Sequence, residues 1–308
     1  MMRFAMSADW IAVDWGTTRM RAWAIGAKGL VLASGGSDAG MNTLKAGEFE
    51  PALLSVIELW LGQSKTNVLA CGMVGARQGW QEVPYTAVPT VPAQLLPECI
   101  SDVRDTRLDV HIVPGLRQDN PGDIMRGEET QIAGFLADRP KFEGVLCLPG
   151  THTKWVQINR GRIVSFQTYM TGELFELLAQ RSVLRHSTGG ITLDQDAFTQ
   201  AAISSFAQPE NVACNLFRIR ADDILTGTLP AIGRAKLSGV LIGAEVTAAS
   251  EYWTGRDVVV AAATELGTLY TAALASQDAS VSRIAADQLT IAGLRHIYRA
   301  LLGSQVAA

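Results

Sequence analysis

Apolar positions first form a short continuous run, Trp10–Val13, and then alternate with polar ones across Arg19–Ile25. A continuous run followed by period-two alternation is the pattern of a buried strand turning into a half-buried partner. The turn between them, Asp14-Trp15-Gly16-Thr17-Thr18, therefore sits at a hairpin tip. This excludes a P-loop and a dinucleotide-binding fold, whose glycine loops open a helix. The same pattern returns as an apolar run at Val145–Leu148, a Gly150-Thr151-His152-Thr153 turn and an alternating strand from Lys154 to Asn159. Both copies continue into a third strand, one through Lys28-Gly29 into Leu30–Ala33 and the other through Arg160-Gly161 into Arg162–Phe166. A duplication at a spacing larger than any solenoid repeat argues two similar lobes.

Between and after the copies, the periodicity predicts an amphipathic helix over Glu48–Leu61 and a strand at Val68–Ala70 that ends in a Gly-rich loop, Cys71–Trp80. Pro84, Pro89, Pro92 and Pro97 punctuate an irregular stretch up to a strand at Val110–Val113. A helix follows Gly127, another runs from Thr171, its expected N-cap, to about Leu184, and a third starts within Ser238–Val246. A buried strand at Val258–Thr264, a helix over Glu265–Ala275 and a last helix over Ser282–Leu302 complete the reading.

Composition narrows the class. A chain of 308 residues, 48% hydrophobic, can bury the cores of two lobes. Its net charge of −4 gives no electrostatic footprint for nucleic acid. No apolar run approaches the roughly 20 residues of a spanning helix, so no membrane partner is expected. The stretch Met1–Ala8 has no long apolar segment, so a secretory leader is not expected, and a cytoplasmic location is. Cys71, Cys99, Cys147 and Cys214 are scattered, without a CxxC or Cys/His cluster. They read as buried reduced thiols, with no metal expected at them.

The two turns carry the candidate chemistry. Gly16 lets the backbone approach an anion, the amides and hydroxyls of Thr17 and Thr18 can donate to phosphoryl oxygens, and Asp14 can hold Mg²⁺ through its waters. A plain hairpin with an Asp-X-Gly turn is the alternative for this turn alone. The second copy offers Gly150, Thr151 and Thr153, but has Leu148 where the first has Asp14, so metal binding falls on Asp14. His152 is either a phosphate contact or structural, and Lys154 either reaches the γ-phosphate as a point charge or lies on the sheet surface. Arg77, Trp80 and Tyr85 stand beyond a strand's carboxyl end, where open α/β sheets place ligands; turn formation and aromatic packing are the alternative. Glu128 and Glu129 suit a helix's first turn through the macrodipole alone.

These stretches resemble the sugar-kinase, Hsp70 and actin superfamily. More narrowly, Ala12–Thr18, Gly72–Gly75, Gly79-Trp80, Met125–Gln131, Pro149–Val156, Met170–Leu174 and Gly239–Glu245, in that order, are similar to the 2-dehydro-3-deoxygalactonokinases along nearly the whole chain. The resemblance implies an α/β protein of two ribonuclease-H-like lobes, the actin-like ATPase fold, with an interlobe nucleotide cleft. It implies an N-terminal lobe of residues 1–118, to which 284–308 return as a hinge helix, and a C-terminal lobe of 119–283. ATP and Mg²⁺ are the implied cofactors, with the phosphates gripped by Asp14, Gly16, Thr17 and Thr18 on one side and by Gly150, Thr151, His152, Thr153 and Lys154 on the other. Gly243, Ala244, Ala263 and Thr264 would form the adenosine pocket, with Ala263 standing where related sequences commonly have Gly. Glu128, ahead of Glu129, would be the base, where better-known relatives often carry Asp; Asp123 is a third candidate. Arg126 would bind the carboxylate of a small-molecule sugar acid, beside Arg77, Trp80 and Tyr85. The implied reaction phosphorylates the C6 hydroxyl of 2-dehydro-3-deoxy-D-galactonate. An ATPase switch without a sugar substrate, or a kinase for another 2-keto-3-deoxy sugar acid such as the gluconate epimer, are the other readings. Whether the chain works alone or as a homodimer stays open.

Overall fold

The apolar run at the start becomes strand β1 (Trp10–Trp15), and Ile11, Ala12 and Val13 are fully buried because elements cover both of its faces. In the computed structural model, residues 7–306 are described; Met1–Met6, most of the stretch read against a leader, lie outside them. β1 pairs antiparallel with β2 (Met20–Ile25), which places Trp15 opposite Met20 and Asp14 opposite Arg21. β3 (Val31–Ser37) pairs antiparallel with β2, and helix α1 (Phe49–Ile57) packs Phe49, Leu53 and Ile57 into the core of Ile11 and Val13. The chain then enters β4 (Thr66–Gly72), which lies parallel to β1.

The irregular stretch contains two short strands, β5 (Thr86–Ala87) and β6 (Glu98–Cys99), before β7 (Leu108–Ile112) pairs parallel with β4. The sheet order is β3-β2-β1-β4-β7-β6. A hairpin of β8 (Leu116–Asp119) and β9 (Gly122–Met125) joins β5 in a small sheet and leads into α2 (Glu128–Asp138).

The second copy builds the same topology. β10 (Gly144–Leu148) and β11 (Thr153–Asn159) form an antiparallel pair, and β12 (Arg162–Tyr169) lies beside β11. Helices α3 (Thr171–Arg181), α4 (Gln195–Ala207), α5 (Val212–Thr226), α6 (Pro230–Ala248) and the short α7 (Ser250–Trp253) follow. β13 (Val258–Ala262), α8 (Thr264–Ala275) and β14 (Val281–Ala285) complete a sheet of order β12-β11-β10-β13-β14, in which β10, β13 and β14 run parallel. Three meander strands followed by two parallel neighbours of the first, in both sheets, is the ribonuclease-H-like arrangement expected of duplicated lobes.

The last helix is α9 (Leu289–Val306). Ser282–Ala285, expected in that helix, instead belongs to β14: Ser282 pairs with Val259 and Ile284 with Ala261, because the sheet edge beside β13 captures the segment. Thr171 is the first residue of α3, with Met170 at the cap position and no side-chain capping bond, so Thr171 is not the N-cap. α6 begins at Pro230, whose fixed φ suits a helix start, well before Ser238.

The chain divides into two compact units. One runs to Phe142, takes in Arg160–Ile163 and resumes at Gln288; the other comprises Glu143–Asn159 and Val164–Asp287. The division thus falls at Phe142, past the expected 118/119 boundary, and groups α2 and α9 in the first unit. These two helices cross at small residues, since a Cβ on Gly134 would lie 2.1 Å from the Leu289 oxygen and one on Gly293 1.8 Å from the Thr130 oxygen. Among the described residues no helix is long and apolar enough to cross a membrane.

Candidate active site

In the first unit, three strand or helix ends converge. Asp14 is the penultimate residue of β1, Cys71-Gly72 ends β4, and Gly127 precedes α2. Gly72 has φ +91°, and a Cβ there would lie 2.7 Å from the Trp15 oxygen and 3.6 Å from Asp14 Oδ1. Gly127 has φ +107°, and its Cβ would sit 3.5 Å from the Gly72 Cα. The positive φ favours glycine at both positions, and at Gly72 the approach to the Trp15 oxygen also leaves no room for a Cβ.

The Asp14 carboxylate accepts a hydrogen bond from Arg21 Nη2 at 2.6 Å. The turn beyond it closes through Gly16 N donating to the Arg19 oxygen at 2.9 Å. It is buttressed by Met41 N and Asn42 N, which donate to the oxygens of Gly16 and Thr17 at 3.0 and 2.9 Å. A Cβ on Gly16 would meet only the Arg19 oxygen, at 3.5 Å, so protein packing does not demand glycine there.

The two glutamates differ sharply. Glu129 is fully buried, accepts from Gly127 N at 2.7 Å and contacts Thr130 Oγ1 at 3.0 Å. Burial, and secondarily the charge of Glu128, push its carboxyl up to about 8. Glu128 is half-buried and accepts from Arg126 N at 3.2 Å. Cys71, between Asp14 and Glu129, is held well above the usual thiol range by burial, then by those two carboxylates, so it stays a thiol. Asp123 lies on β9 and bonds its own neighbour, Ile124 N, at 2.7 Å.

Arg126 is buried, donates from Nη2 to the Val83 oxygen at 2.6 Å and lies over the Tyr85 ring at 4.2 Å. Its Nε and Nη1 are buried without a hydrogen-bond partner, a costly arrangement for a guanidinium. Arg77 is exposed. Trp80 stacks on Phe49 and meets Trp15 edge-on, so its packing role is evident. The structure therefore joins Tyr85 to Arg126 and ties Trp80 to the core.

In the second unit the start of α3 is fastened to the Gly-Thr turn. Glu173 N donates to the Thr151 oxygen at 2.9 Å, and His152 Nε2 lies 2.6 Å from Glu173 Oε2. Lys154 is 3% exposed, so it does not lie on the sheet surface; its Nζ donates to the His152 oxygen at 3.4 Å. Thr153 Oγ1 meets the Tyr270 hydroxyl at 2.8 Å. Glu245 accepts from that hydroxyl and from Trp155 Nε1, each at 2.8 Å. Burial raises the Glu245 carboxyl, opposed by hydrogen bonds from Thr171, Trp155, Tyr270 and Thr153.

Beside the turn lies a cavity of about 610 Å³, the size of a small-molecule site, lined by Gly150, Thr151, Phe175, Arg234, Ala263 and Leu266 among others. The Arg234 guanidinium lies 4.8 Å over the Phe175 ring. Of the residues expected at an adenosine pocket, Ala263 lines this cavity, while Thr264 starts α8 outside the lining. Gly243 faces α4, where a Cβ would fall 2.6 Å from the Ala202 oxygen; neither it nor Ala244 is in the lining, which α6 supplies through Ser238, Leu241 and Ile242. Sequence periodicity singled out neither Phe175, Arg234 nor Tyr270, because each looks like an ordinary helix residue until the helices are packed.

Residues 14–297 match the model of the 2-keto-3-deoxy-galactonokinase family. The chain is 38% identical over 296 residues to a Rhizobium meliloti (strain 1021) protein provisionally named 2-dehydro-3-deoxygalactonokinase, covering 94% of this chain and 96% of that one. It is 36% identical over 300 residues to the Escherichia coli (strain K12) 2-dehydro-3-deoxygalactonokinase, covering 96% and 99%. A crystal structure from Sinorhizobium meliloti, provisionally described as the same enzyme, superposes with a TM-score of 0.86 at 38% identity over 95% of this chain and 99% of that one.

Proposed function

The chain belongs to the 2-keto-3-deoxy-galactonokinase family, and we propose that it transfers the γ-phosphoryl group of ATP to the C6 hydroxyl of 2-dehydro-3-deoxy-D-galactonate, giving 2-dehydro-3-deoxy-6-phosphogalactonate. It is a phosphotransferase with an alcohol acceptor. The observation that carries the site assignment is the pair of turn glycines. Gly16 and Gly150 stand where a side chain would meet little or no protein, and neither needs a positive φ, so room for phosphate is the reason for glycine.

Gly16, Thr17, Thr18, Gly150, Thr151, His152, Thr153 and Lys154 bind the phosphates. The cavity beside Gly150 takes the adenosine, with Ala263 in its wall. Asp14 fits Mg²⁺ as a hard oxygen donor beside an open glycine; when bound, the ion supplies charge neutralisation at the phosphates. Glu128 takes the proton from the attacking hydroxyl, because it is the half-buried carboxylate of the pair. Glu129, which holds its proton at neutral pH, supports the Gly127 backbone instead. The acceptor carboxylate pairs with the unmet donors of Arg126, beside Tyr85 and within reach of the loop bearing Arg77 and Trp80. The enzyme works in the cytoplasm, as a homodimer or monomer that light scattering will distinguish.

Coupled measurement of ADP release with a panel of 2-keto-3-deoxy sugar acids tests this reading. Turnover that requires the galactonate acid supports it. Preference for the gluconate epimer overturns the substrate assignment, and acceptor-independent ATPase as the only activity overturns the kinase.

A further inference from the structure

The edge of the first unit's sheet brings together three groups that the sequence keeps apart. β6 pairs antiparallel with β7 in a register that sets Cys99 directly opposite His111. Asp109 lies two residues before His111 on the same strand and so on the same face. One ligand atom from each of Cys99, Asp109 and His111 lies within 4.8 Å of the others. Cys99 Sγ is 3.6 Å from Asp109 Oδ1, and His111 Nε2 is 3.6 Å from Asp109 Oδ2. Donors around a tetrahedral zinc ion, at the usual metal–sulfur, metal–nitrogen and metal–oxygen lengths, stand roughly 3.3–3.8 Å apart. Cys99 and His111 each stand at that distance from Asp109, but from different carboxylate oxygens, so small side-chain rotations bring one Asp109 oxygen, the thiol and the imidazole around one ion.

A second observation points the same way. His111 is 6% exposed, and neither ring nitrogen has a hydrogen-bond partner. A buried imidazole almost always orients one N–H toward an acceptor, so its nearest carboxylate oxygen at 3.6 Å is an unfinished contact. Lys65 Nζ, 3.5 Å from Asp109 Oδ1, is the cation that now faces the carboxylate. Cys99 is exposed, which leaves a fourth position open to water.

We propose that Cys99, Asp109 and His111 form a zinc site on the β6–β7 edge, separate from the phosphotransfer site. One thiolate, one imidazole and one carboxylate with an open position are a donor set for Zn²⁺ over Mg²⁺ or Ca²⁺, which take oxygen ligands. The bound ion fastens the two-residue strand β6, and with it the irregular stretch before it, to the core strand β7. Nothing in the phosphotransfer chemistry uses these three residues.

The full-length protein, stripped with a chelator and dialysed, is titrated with Zn²⁺ against a chromophoric zinc indicator and, separately, with Co²⁺. One Zn²⁺ per chain at a dissociation constant of about 1 µM or tighter is expected, with a thiolate-to-cobalt charge-transfer band for Co²⁺. Cys99→Ser and Asp109→Asn should each weaken Zn²⁺ binding at least about tenfold, Cys99→Ser should abolish the cobalt band, and Cys214→Ser should change neither. Weaker wild-type binding, no charge-transfer band, or less than a tenfold loss in Cys99→Ser overturns the site. The cobalt spectrum of the unmodified chain decides the matter even if a variant misfolds.

Discussion

A Cβ placed on Gly172 would fall 2.2 Å from the Gly150 carbonyl oxygen, whereas a Cβ placed on Gly150 would meet no protein atom within 4 Å. Gly150, in the β10–β11 turn, and Gly172, in the α3 start packed on it, are therefore glycine for different reasons, and their alanine variants should part company. Gly172→Ala should push α3 off the turn and lower thermal stability, by roughly 1–3 kcal/mol for an overpacked contact. Gly150→Ala should leave the melting temperature within a degree or two of wild type yet raise KM for ATP about tenfold or more, because only the phosphate competes for that space. Unchanged ATP kinetics in Gly150→Ala would remove the turn from the phosphate site.

Asp14 is the one carboxylate of the two turns, the second copy having Leu148 at the matching place. Asp14→Ala should lower kcat more than any single alanine change from Gly150 to Thr153, by roughly 10²-fold or more for loss of a metal-positioning group. Steady-state kinetics across a Mg²⁺ titration checks this, and a kcat within threefold of wild type would count against Asp14 as the metal residue.

The β-meanders and their turns were legible because alternation, glycine and threonine fall at fixed offsets in a strand, so both hairpins and the α/β duplication could be read locally. The β14 segment was not: Val281–Ala285 has no clean alternation, and only the exposed edge of β13 makes it a strand. The cavity wall was half legible. Ala263 follows a strand end and could be placed, whereas Gly243 is small because α4 crosses it, and Ser238, Leu241 and Ile242 are distinguished only by which way α6 faces. The Cys99–His111 pair was invisible for a related reason, since a two-residue strand has no period to detect; the expectation of four buried thiols failed at Cys99 and Cys214, which are both exposed.

Glu128→Gln and Glu129→Gln, compared side by side, separate proton transfer from support. Glu128→Gln should lower kcat by about 10²–10⁴-fold with KM for the acceptor little changed. Glu129→Gln keeps an acceptor for Gly127 N and should lower kcat far less. Equal losses, or a loss confined to Glu129→Gln, would move the base assignment.

Glu129 also sets a stability profile. Its carboxyl titrates near 8 in the folded chain, against about 4.3 when unfolded. Between these values the folded state holds a proton that the unfolded state has released, so the contribution is complete below about pH 4 and is lost as pH rises toward 8. Wild type should therefore lose stability relative to Glu129→Gln across pH 5 to 8, by on the order of a few kcal/mol. Denaturant midpoints at closely spaced pH values measure the difference; parallel profiles would show that the folded state does not retain the proton.

Arg126→Met replaces a buried cation with an apolar side chain of similar length. It should raise KM for the sugar acid at least about tenfold while leaving KM for ATP within twofold, since a buried charge-assisted pair is lost on the acceptor side alone. Equal increases for both substrates would indicate a general disturbance of the Val83–Tyr85 loop.

The crossing of α2 and α9 at Gly134 and Gly293 imposes an order on biosynthesis. The helix that bears Glu128 is translated before the whole of the second unit, yet the helix that packs against it emerges only afterwards. Domains that are continuous in sequence can fold as they leave the ribosome. Here the first unit must wait, its Thr130 and Gly134 surface uncovered, until residue 293 has been made, so α2 is seated last although it is encoded near the middle.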